Sequence, residues 1–135
     1  MQMNLNAKRI LLAKVGLDGH DRGVKIVLTY LKESGYQVIY SGLHKTPKQI
    51  ADVAFQEDVD AIGISILSGS HVPLFLELTA LVKTEGNKNI LIFGGGTIPD
   101  IDIAFLTKNG VDRIFPTGSS LVSITDWLES VWTDE

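Results

Sequence analysis

The chain has 135 residues, of which 44% are hydrophobic and 21% are charged, and this length predicts one domain with a single core. It is too short for a (β/α)8 barrel, which takes about 250 residues. We therefore expect any large, closed active site to borrow walls from another chain. Twelve Lys and Arg against 16 Asp and Glu give a net charge of −4, so the basic surplus that binds nucleic acid or anionic membranes is absent.

Two further features of the composition exclude classes of protein. No cysteine is present, which excludes disulfides, Cys-ligated zinc, iron–sulfur clusters and thiol catalysis. The first residues lack the apolar core of a signal peptide, and no apolar run approaches the roughly 18 residues of a membrane span. We expect a soluble, cytoplasmic protein with a tail at residues 1–7 and one domain at residues 8–135.

Short apolar runs alternate with helical periodicity along the chain. The runs predict buried strands at residues 10–13, 38–40, 61–64 and 90–93 and a short one at 114–115. Between and after them, five apolar stripes at helical spacing predict helices: Val24, Val27, Leu28 and Leu31; Ile50, Val53 and Ala54; Leu74, Leu78, Leu81 and Val82; Ile101, Ala104 and Phe105; Leu121, Ile124, Leu128 and Val131. Thr46, Pro47 and Gln49 predict a capping box at the second helix.

This alternation predicts an α/β fold, a doubly wound parallel sheet of five strands in the flavodoxin-like order 2-1-3-4-5. Ligands of such folds bind outside the carboxyl ends of the strands, where strands 1 and 3 diverge. The rule points to the loops at residues 14–23, 65–71, 94–99 and 116–120. Glycine permits close backbone approach to a ligand. Nine of the thirteen glycines lie in these loops, at their edges or in the strand leading in: Gly16, Gly19, Gly23, Gly63, Gly69, Gly94, Gly95, Gly96 and Gly118. The alternative is that turns after strands need glycine in any case.

Common ligand motifs of this fold are absent from these loops. The sequence has neither G-x-x-x-x-G-K-[ST] nor G-x-G-x-x-G, and the segment at residues 94–99 has the wrong spacing. A phospho-receiver would need an Asp at the end of strand 3 and a Lys at the end of strand 5, where this chain has Ser65 and Phe115-Pro116. A flavin-type loop rich in Ser and Thr after strand 1 is also missing.

The loop after strand 1 carries Lys14, Asp18 and His20. Asp18 is placed to hydrogen-bond one imidazole nitrogen of His20, as carboxylates do behind metal-bound histidines, and Lys14 to pair with Asp18. The alternative is a solvated loop histidine. One histidine cannot hold a bare zinc ion, which needs three or four protein ligands, but it suffices as an axial ligand when a macrocycle supplies the rest.

Three segments in these loops together resemble a known family. They are Asp18-x-His20-x-x-Gly23, Ser65-x-Leu67 and Gly95-Gly96, and they form the signature of Rossmann-like domains that bind cobalamin base-off. Residues 13–23, 41–47, 64–71 and 94–99 are most similar to the cobalamin-binding domain of methylmalonyl-CoA mutase and related acyl-CoA mutases. The resemblance covers the chain from Lys8 onward.

The resemblance implies roles for single residues. His20 would be the lower axial ligand of the cobalt, with Asp18 and Lys14 tuning it, and the cofactor's benzimidazole tail would enter a crevice between strands 1 and 3. Ser65 and Leu67 would line that crevice opposite Gly95 and Gly96, with Thr97 and the strand 5 loop near its deep end. The full implied set is Asp18, Gly19, His20, Asp21, Arg22, Gly23, Ser65, Leu67, Ser68, Gly69, Gly95, Gly96, Thr97, Gly118 and Ser119.

One segment departs from the family pattern. The family has a Pro-Gly-Thr-like turn after strand 5, and this chain has Phe115-Pro116-Thr117-Gly118-Ser119-Ser120. Outside the signature, we expect His44 to be a surface residue or a subunit contact. His71 is expected to begin a helix, and Trp127 and Trp132 to pack or lie at the surface.

The resemblance also implies a function. The chain is expected to be the small subunit of an adenosylcobalamin-dependent acyl-CoA mutase, a radical isomerase acting on methylmalonyl-CoA, isobutyryl-CoA or 2-hydroxyisobutyryl-CoA. A separate large barrel subunit would bind the acyl-CoA, and no nucleic acid or membrane partner is expected. The alternative is a non-catalytic corrinoid carrier for methyl transfer or a cobalamin-sensing module. Such proteins usually carry an additional domain, which does not fit within the residues before Lys8.

Overall fold

The computed structural model describes residues 8–14, 22–41, 46–66, 71–86 and 88–133. Strands and helices alternate strictly along these segments, as the apolar pattern predicts. In chain order they are β1 (Arg9–Lys14), α1 (Arg22–Glu33), β2 (Gln37–Tyr40), α2 (Pro47–Gln56), β3 (Ala61–Ile66), α3 (His71–Glu85), β4 (Leu91–Gly96), α4 (Asp100–Lys108), β5 (Arg113–Pro116) and α5 (Leu121–Thr133). None of these helices is long and apolar enough to cross a bilayer.

The strands form one parallel sheet in the order β2-β1-β3-β4-β5, which confirms the predicted topology. Leu12 in β1 pairs with Tyr40 of β2 on one side and with Gly63 of β3 on the other. Gly63 in turn pairs with Phe93 of β4. All carboxyl ends therefore lie at one edge of the sheet, and β1 and β3 leave that edge toward opposite sides.

The sheet separates two hydrophobic layers rather than enclosing the single core expected from chain length. Helices α2, α3 and α4 cover one face, where Ile50, Phe75 and Leu106 are fully buried. Helices α1 and α5 cover the other face, where Leu31 and Leu128 are fully buried. Because both faces are covered, the strands are apolar on both sides, which is why their sequences do not alternate.

The start of α2 confirms the predicted capping box. The Gln49 N–H donates to the Thr46 side-chain oxygen at 3.1 Å, and the Thr46 N–H donates to the Gln49 side-chain oxygen at 2.9 Å. Pro47 occupies the first turn, where its missing N–H costs nothing. Local sequence alone thus determines where this helix begins.

Four strands run further toward the carboxyl edge than the sequence predicts: β1 and β5 by one residue, β3 by two and β4 by three. Gly94, Gly95 and Gly96, assigned above to a loop, belong to β4 and pair with β3 and β5 on either side. Ser65 likewise belongs to β3. Because strands pair with β4 on both sides, the backbone N–H and C=O groups of these glycines have hydrogen-bond partners without any help from side chains. The strand therefore continues although its apolar run has ended.

The predicted stripe of α4 is wrong. Ile101 is 79% exposed and Phe105 is 46% exposed, whereas Leu106 is fully buried and Ile103 is half-buried. The segment at 101–106 is apolar at most positions, so its periodicity does not single out one face. Packing of Leu106 into the layer beside α3 decides the orientation of the helix.

This orientation predicts opposite consequences for two substitutions in α4. Ile101→Ser should change the free energy of unfolding by less than about 0.5 kcal/mol, since an exposed side chain loses few contacts. Leu106→Val should cost roughly 1 kcal/mol, the usual loss for one buried methylene. Chemical denaturation of both variants checks this, and a larger loss for Ile101→Ser than for Leu106→Val would show that the helix is turned the other way.

Candidate functional site

A slot opens at the carboxyl edge of the sheet, between the strands and the pair of helices α1 and α5. Its volume is about 300 Å³. Four strands, both helices and the turn after β5 contribute to its walls: Leu12, Ala13, Gly23, Val24, Val27, Gly63, Ile64, Ser65, Phe93, Gly94, Gly95, Gly96, Phe115, Pro116, Thr117, Gly118, Ser119, Leu121 and Ile124. This volume lies at the small end of the range for ligand pockets, so the slot can enclose only part of a large ligand.

The slot exists because two small residues lie side by side on neighbouring strands. We call a row the residues that lie side by side in register across the sheet. The row nearest the carboxyl ends on this face, the outer row, contains Lys14, Ser65, Gly95 and Phe115 on β1, β3, β4 and β5. Ser65 is small and Gly95 has no side chain, so the space above the middle of the row stays open. A Cβ added at Gly95 would meet only the Phe115 carbonyl oxygen, at 3.4 Å, within the described residues.

The next row inward, one pleat nearer the amino ends, closes the slot. Leu12, Gly63 and Phe93 lie side by side there. A Cβ added at Gly63 would lie 2.6 Å from Cζ of Phe93 and 2.8 Å from Cδ2 of Leu12, so both side chains lie over this glycine. Among the described strand residues none further inward lines the slot, so Leu12 and Phe93 form its inner end.

Aromatic rings pack behind this inner end. The ring centroids of Phe93 and Phe115 are 6.2 Å apart, with the rings nearly perpendicular. Trp127 of α5 contacts both, at 5.7 Å from Phe93 and 5.9 Å from Phe115. Edge-to-face geometry at these distances is favourable, so the three rings hold one another in place. Trp127 therefore packs, as does Trp132 against Tyr36.

Polar groups gather at the mouth. The side-chain oxygens of Thr97 and Thr117 lie 3.0 Å apart, joining the segment after β4 to the turn after β5. In that turn the Ser119 N–H donates to the Pro116 carbonyl at 3.0 Å. Gly118 has a φ of +96°, which favours glycine at this position of the turn. The segment that departs from the family pattern thus forms a tight turn.

Lys14 is fully buried, at 1% exposure, as the last residue of β1. Buried ammonium groups in proteins are paired, because desolvation without a partner is costly. Asp18, its predicted partner, lies outside the described residues. In register Lys14 stands beside Ser65, so it occupies the same row as the floor of the slot.

Several of the predicted site residues come together here. The structure places Gly23, Ser65, Gly95, Gly96, Gly118 and Ser119 in the lining of the slot. Thr97 and the turn after β5 lie at the mouth rather than near the deep end, because they follow the carboxyl ends of their strands. Gly95 lies beside Ser65 in register, not opposite it across a crevice.

Other predicted residues lie outside the described part of the chain. They are Asp18, Gly19, His20, Asp21, Leu67, Ser68 and Gly69, together with His44. Arg22 begins α1 and His71 begins α3, which confirms the helix start expected at His71. The side chains of these two are likewise outside the description.

The sequence did not predict the apolar residues that form the walls of the slot. They come from the inner row, from Phe115 in the outer row and from both helices: Leu12, Phe93, Phe115, Val24, Val27, Leu121 and Ile124. Each of them looked like an ordinary core residue. The sequence does contain one indication for Phe93. Side chains alternate along a strand, and Phe93 lies two residues before Gly95, so both are on the same face of β4.

Comparison with known proteins identifies relatives over most of the chain. The protein-family model described as the B12 binding domain matches residues 8–124. The chain is 44% identical over 123 residues to the 2-hydroxyisobutanoyl-CoA mutase small subunit of Aquincola tertiaricarbonis, a match that spans 91% of this chain and 90% of that subunit.

Longer proteins contain the same segment as one part of their length. The chain is 39% identical to methylmalonyl-CoA mutase of Escherichia coli over 91% of its residues, but it spans only 17% of that enzyme. Among solved structures, a cobalamin-binding protein from Desulfitobacterium hafniense superimposes with a TM-score of 0.74 at 22% identity. That match covers 90% of this chain and 59% of the other, and at this identity it shows the shared fold alone.

Proposed function

The chain belongs to the B12-binding domain family, and we propose that it holds a cobalamin at the slot as the small subunit of an acyl-CoA mutase. The observation that carries the mutase role is the end-to-end similarity to a mutase small subunit, which covers nine-tenths of both chains. Similarity confined to the cofactor site would leave other corrinoid proteins equally well supported. The related small subunit matches beyond the site, over the helices as well.

The residues of the slot fit part of a cobalamin. A cobalamin consists of a wide corrin macrocycle and a nucleotide tail that ends in a flat, apolar base. The slot is narrow, has Ser65 and Ser119 near its mouth and is closed by Leu12 and Phe93. Its polar mouth suits a ribose phosphate and its apolar interior suits the base, while the macrocycle would remain outside at the carboxyl edge. A Cβ at Gly95 would occupy space within this cradle, since among the described residues it would meet only the Phe115 carbonyl oxygen, at 3.4 Å.

We propose that adenosylcobalamin is the form used, and when bound it supplies the cobalt–carbon bond that is the source of radicals in mutase chemistry. This chain binds and orients the group. His20 is the proposed ligand of the cobalt, oriented by Asp18, with Lys14 holding Asp18. Such outer partners fix the orientation and basicity of a metal-bound imidazole. Helices α1 and α5 exclude water from the tail and so hold it in one position.

The substrate would be bound by a second chain. We propose a large subunit with a barrel that carries the acyl-CoA and faces the corrin at the carboxyl edge of this sheet. Longer mutase relatives contain the equivalent of this chain as about one-sixth of their length, which supports a partner of that kind. The acyl-CoA is of the class that includes the 2-hydroxyisobutanoyl, isobutyryl and methylmalonyl thioesters.

Titration of the full chain with adenosylcobalamin tests the cofactor. We expect the absorption spectrum of a base-off, histidine-ligated corrinoid, because the slot takes the tail away from the cobalt. An unchanged base-on spectrum at saturating protein would contradict cofactor binding at this slot.

Reconstitution tests the mutase role. The purified large subunit and adenosylcobalamin should isomerise an acyl-CoA only when this chain is added. A methyl-transfer enzyme that bound this chain and accepted a methyl group from its corrinoid would favour a carrier instead.

A further inference from the structure

The lining of the slot changes character from its mouth to its inner end. The hydroxyl-bearing residues among those described are Ser65, in the outer row, and Thr117 and Ser119, in the turn after β5. One row further in, the described lining is Leu12, Gly63 and Phe93, which offer no side-chain hydrogen-bonding group. Among the described residues, whatever part of a ligand reaches that row meets side chains that consist of carbon alone.

Phe93 determines how deep the slot is. It belongs to β4, but its ring extends over Gly63 of the neighbouring strand, where a Cβ would lie 2.6 Å from its Cζ and 2.8 Å from its Cε2. Leu12 reaches the same point from β1. Two side chains thus cover the glycine floor from both sides, and a smaller residue at position 93 would open the row.

The Phe93 ring is also held firmly. Phe115 and Trp127 pack against it from the side of β5 and α5, with centroids 6.2 Å and 5.7 Å away. Phe93 itself is only 4% exposed. A ring fixed by two others presents a rigid surface, and a rigid surface discriminates by shape and polarity better than a mobile one.

We propose that Phe93, lying across Gly63 against Leu12, selects the base of the cofactor's nucleotide tail, favouring an apolar bicyclic base such as dimethylbenzimidazole over a purine. This inference rests on the proposed function, since it concerns how the same slot takes its cofactor. It adds a specificity-determining residue that lies outside the three signature segments.

The discrimination follows from the cost of burying polar groups. Adenine carries ring nitrogens and an exocyclic amine that are hydrogen-bonded in water. At the inner end of the slot they would face the aromatic and aliphatic carbon of Phe93 and Leu12. An unpaired buried polar group disfavours binding by about 10- to 100-fold. Dimethylbenzimidazole presents methyl groups and ring carbon there and loses nothing comparable.

The test measures dissociation constants of the full chain for three corrinoids. These are cobalamin, the analogue whose tail ends in adenine, and cobinamide, which lacks the nucleotide tail. The wild-type chain should prefer cobalamin over the adenine analogue by about 10- to 100-fold. Phe93→Leu should reduce this preference at least about fivefold, because the row opens and admits water. Its affinity for cobinamide should stay within about twofold of wild type.

A second variant tests the same inner end of the slot by changing Gly63, over which the Phe93 ring lies. Gly63→Ala keeps every aromatic residue but pushes the Phe93 ring toward the slot, because the new methyl group needs the space that the ring tip occupies. It should weaken binding of both tailed corrinoids about tenfold and leave cobinamide unaffected. The matched control is Phe75→Leu, an equally buried Phe on the opposite face of the sheet, which should lower stability without changing the preference.

The outcomes separate the two proposals. If the wild-type chain binds none of the three corrinoids, the proposed cofactor is wrong. If it binds cobalamin but does not distinguish the two bases, or if Phe93→Leu retains the full preference, the role of Phe93 is overturned while cofactor binding stands. The same holds if Phe75→Leu shifts the preference as much as Phe93→Leu.

Discussion

Replacing Gly95 with valine should weaken cobalamin binding strongly while leaving the protein folded. Position 95 lies in the outer row of the slot floor, between Ser65 and Phe115 in register. Within the described residues, a Cβ there meets only the Phe115 carbonyl, at ordinary contact distance, so the valine would extend into the slot. We expect affinity to fall by about 100-fold or more, equivalent to ~2.7 kcal/mol. The melting temperature should stay level or rise, because valine suits a strand interior better than glycine.

Gly94 is the matched control for this substitution. Its backbone contributes to the lining of the slot, but a Cβ at this position would point into the other layer, where it would overlap with Cζ of Phe75. Gly94→Ala should therefore cost roughly 1–3 kcal/mol of stability through overpacking and leave the affinity of the folded protein within a few-fold of wild type. Spectral titration and thermal unfolding of both variants suffice. Wild-type affinity in Gly95→Val would show that the tail does not enter this slot.

His20→Ala should remove the histidine ligand from the cobalt. With the nucleotide tail in the slot, neither the tail base nor a second assigned ligand of this chain takes the place of His20. The bound corrinoid should therefore show the spectrum of a base-off form that has water in place of the histidine. Mutase activity reconstituted with the large subunit should fall by at least about 100-fold. Added imidazole should restore the histidine-ligated spectrum, a readout that a merely structural role would not give.

Two further variants accompany this experiment. Asp18→Asn should weaken cobalamin binding by roughly 10- to 100-fold, as changes behind a metal-bound histidine do, and preserve the ligand. His44→Ala, a second histidine of the same chain, should leave the absorption spectrum unaltered. A histidine-ligated spectrum in His20→Ala, or its loss in His44→Ala, would show that the axial ligand is assigned wrongly.

The fold followed from the sequence because its elements are encoded locally. Each strand contains a short apolar run, and the start of α2 depends on Thr46, Pro47 and Gln49. The expected hydrogen bonds between Thr46 and Gln49 are present in the structure. Alternation of strands and helices then restricts the sheet to few orders, of which 2-1-3-4-5 was found. Helix α4 was the exception, because Ile101 and Leu106 compete for the interior and only tertiary packing chooses between them.

The residues at the carboxyl edge of the site could be predicted from the sequence, but those at the inner end of the slot could not. Ser65 and Gly95 could be found because the carboxyl ends of the strands mark the ligand-binding edge and the family resemblance singles out these two residues there. Phe93 could not, because a buried Phe in a strand looks like core, and its relation to Gly63 depends on the register between two strands far apart in sequence. The roles of His20 and Asp18 stay predictions from the resemblance, since both lie outside the described residues.

The two layers on either side of the sheet differ in one respect that affects how the protein opens. The layer beneath α1 and α5 contains the slot, so part of the surface of those helices faces the slot rather than other side chains, whereas the described lining includes no residue of α2, α3 or α4. Local opening requires less energy where fewer buried contacts are lost. Backbone amides of α1 and α5 should therefore exchange with deuterium sooner than those of α3. A nucleotide tail bound in the slot would stabilise the closed form by mass action and slow that exchange selectively on the same side.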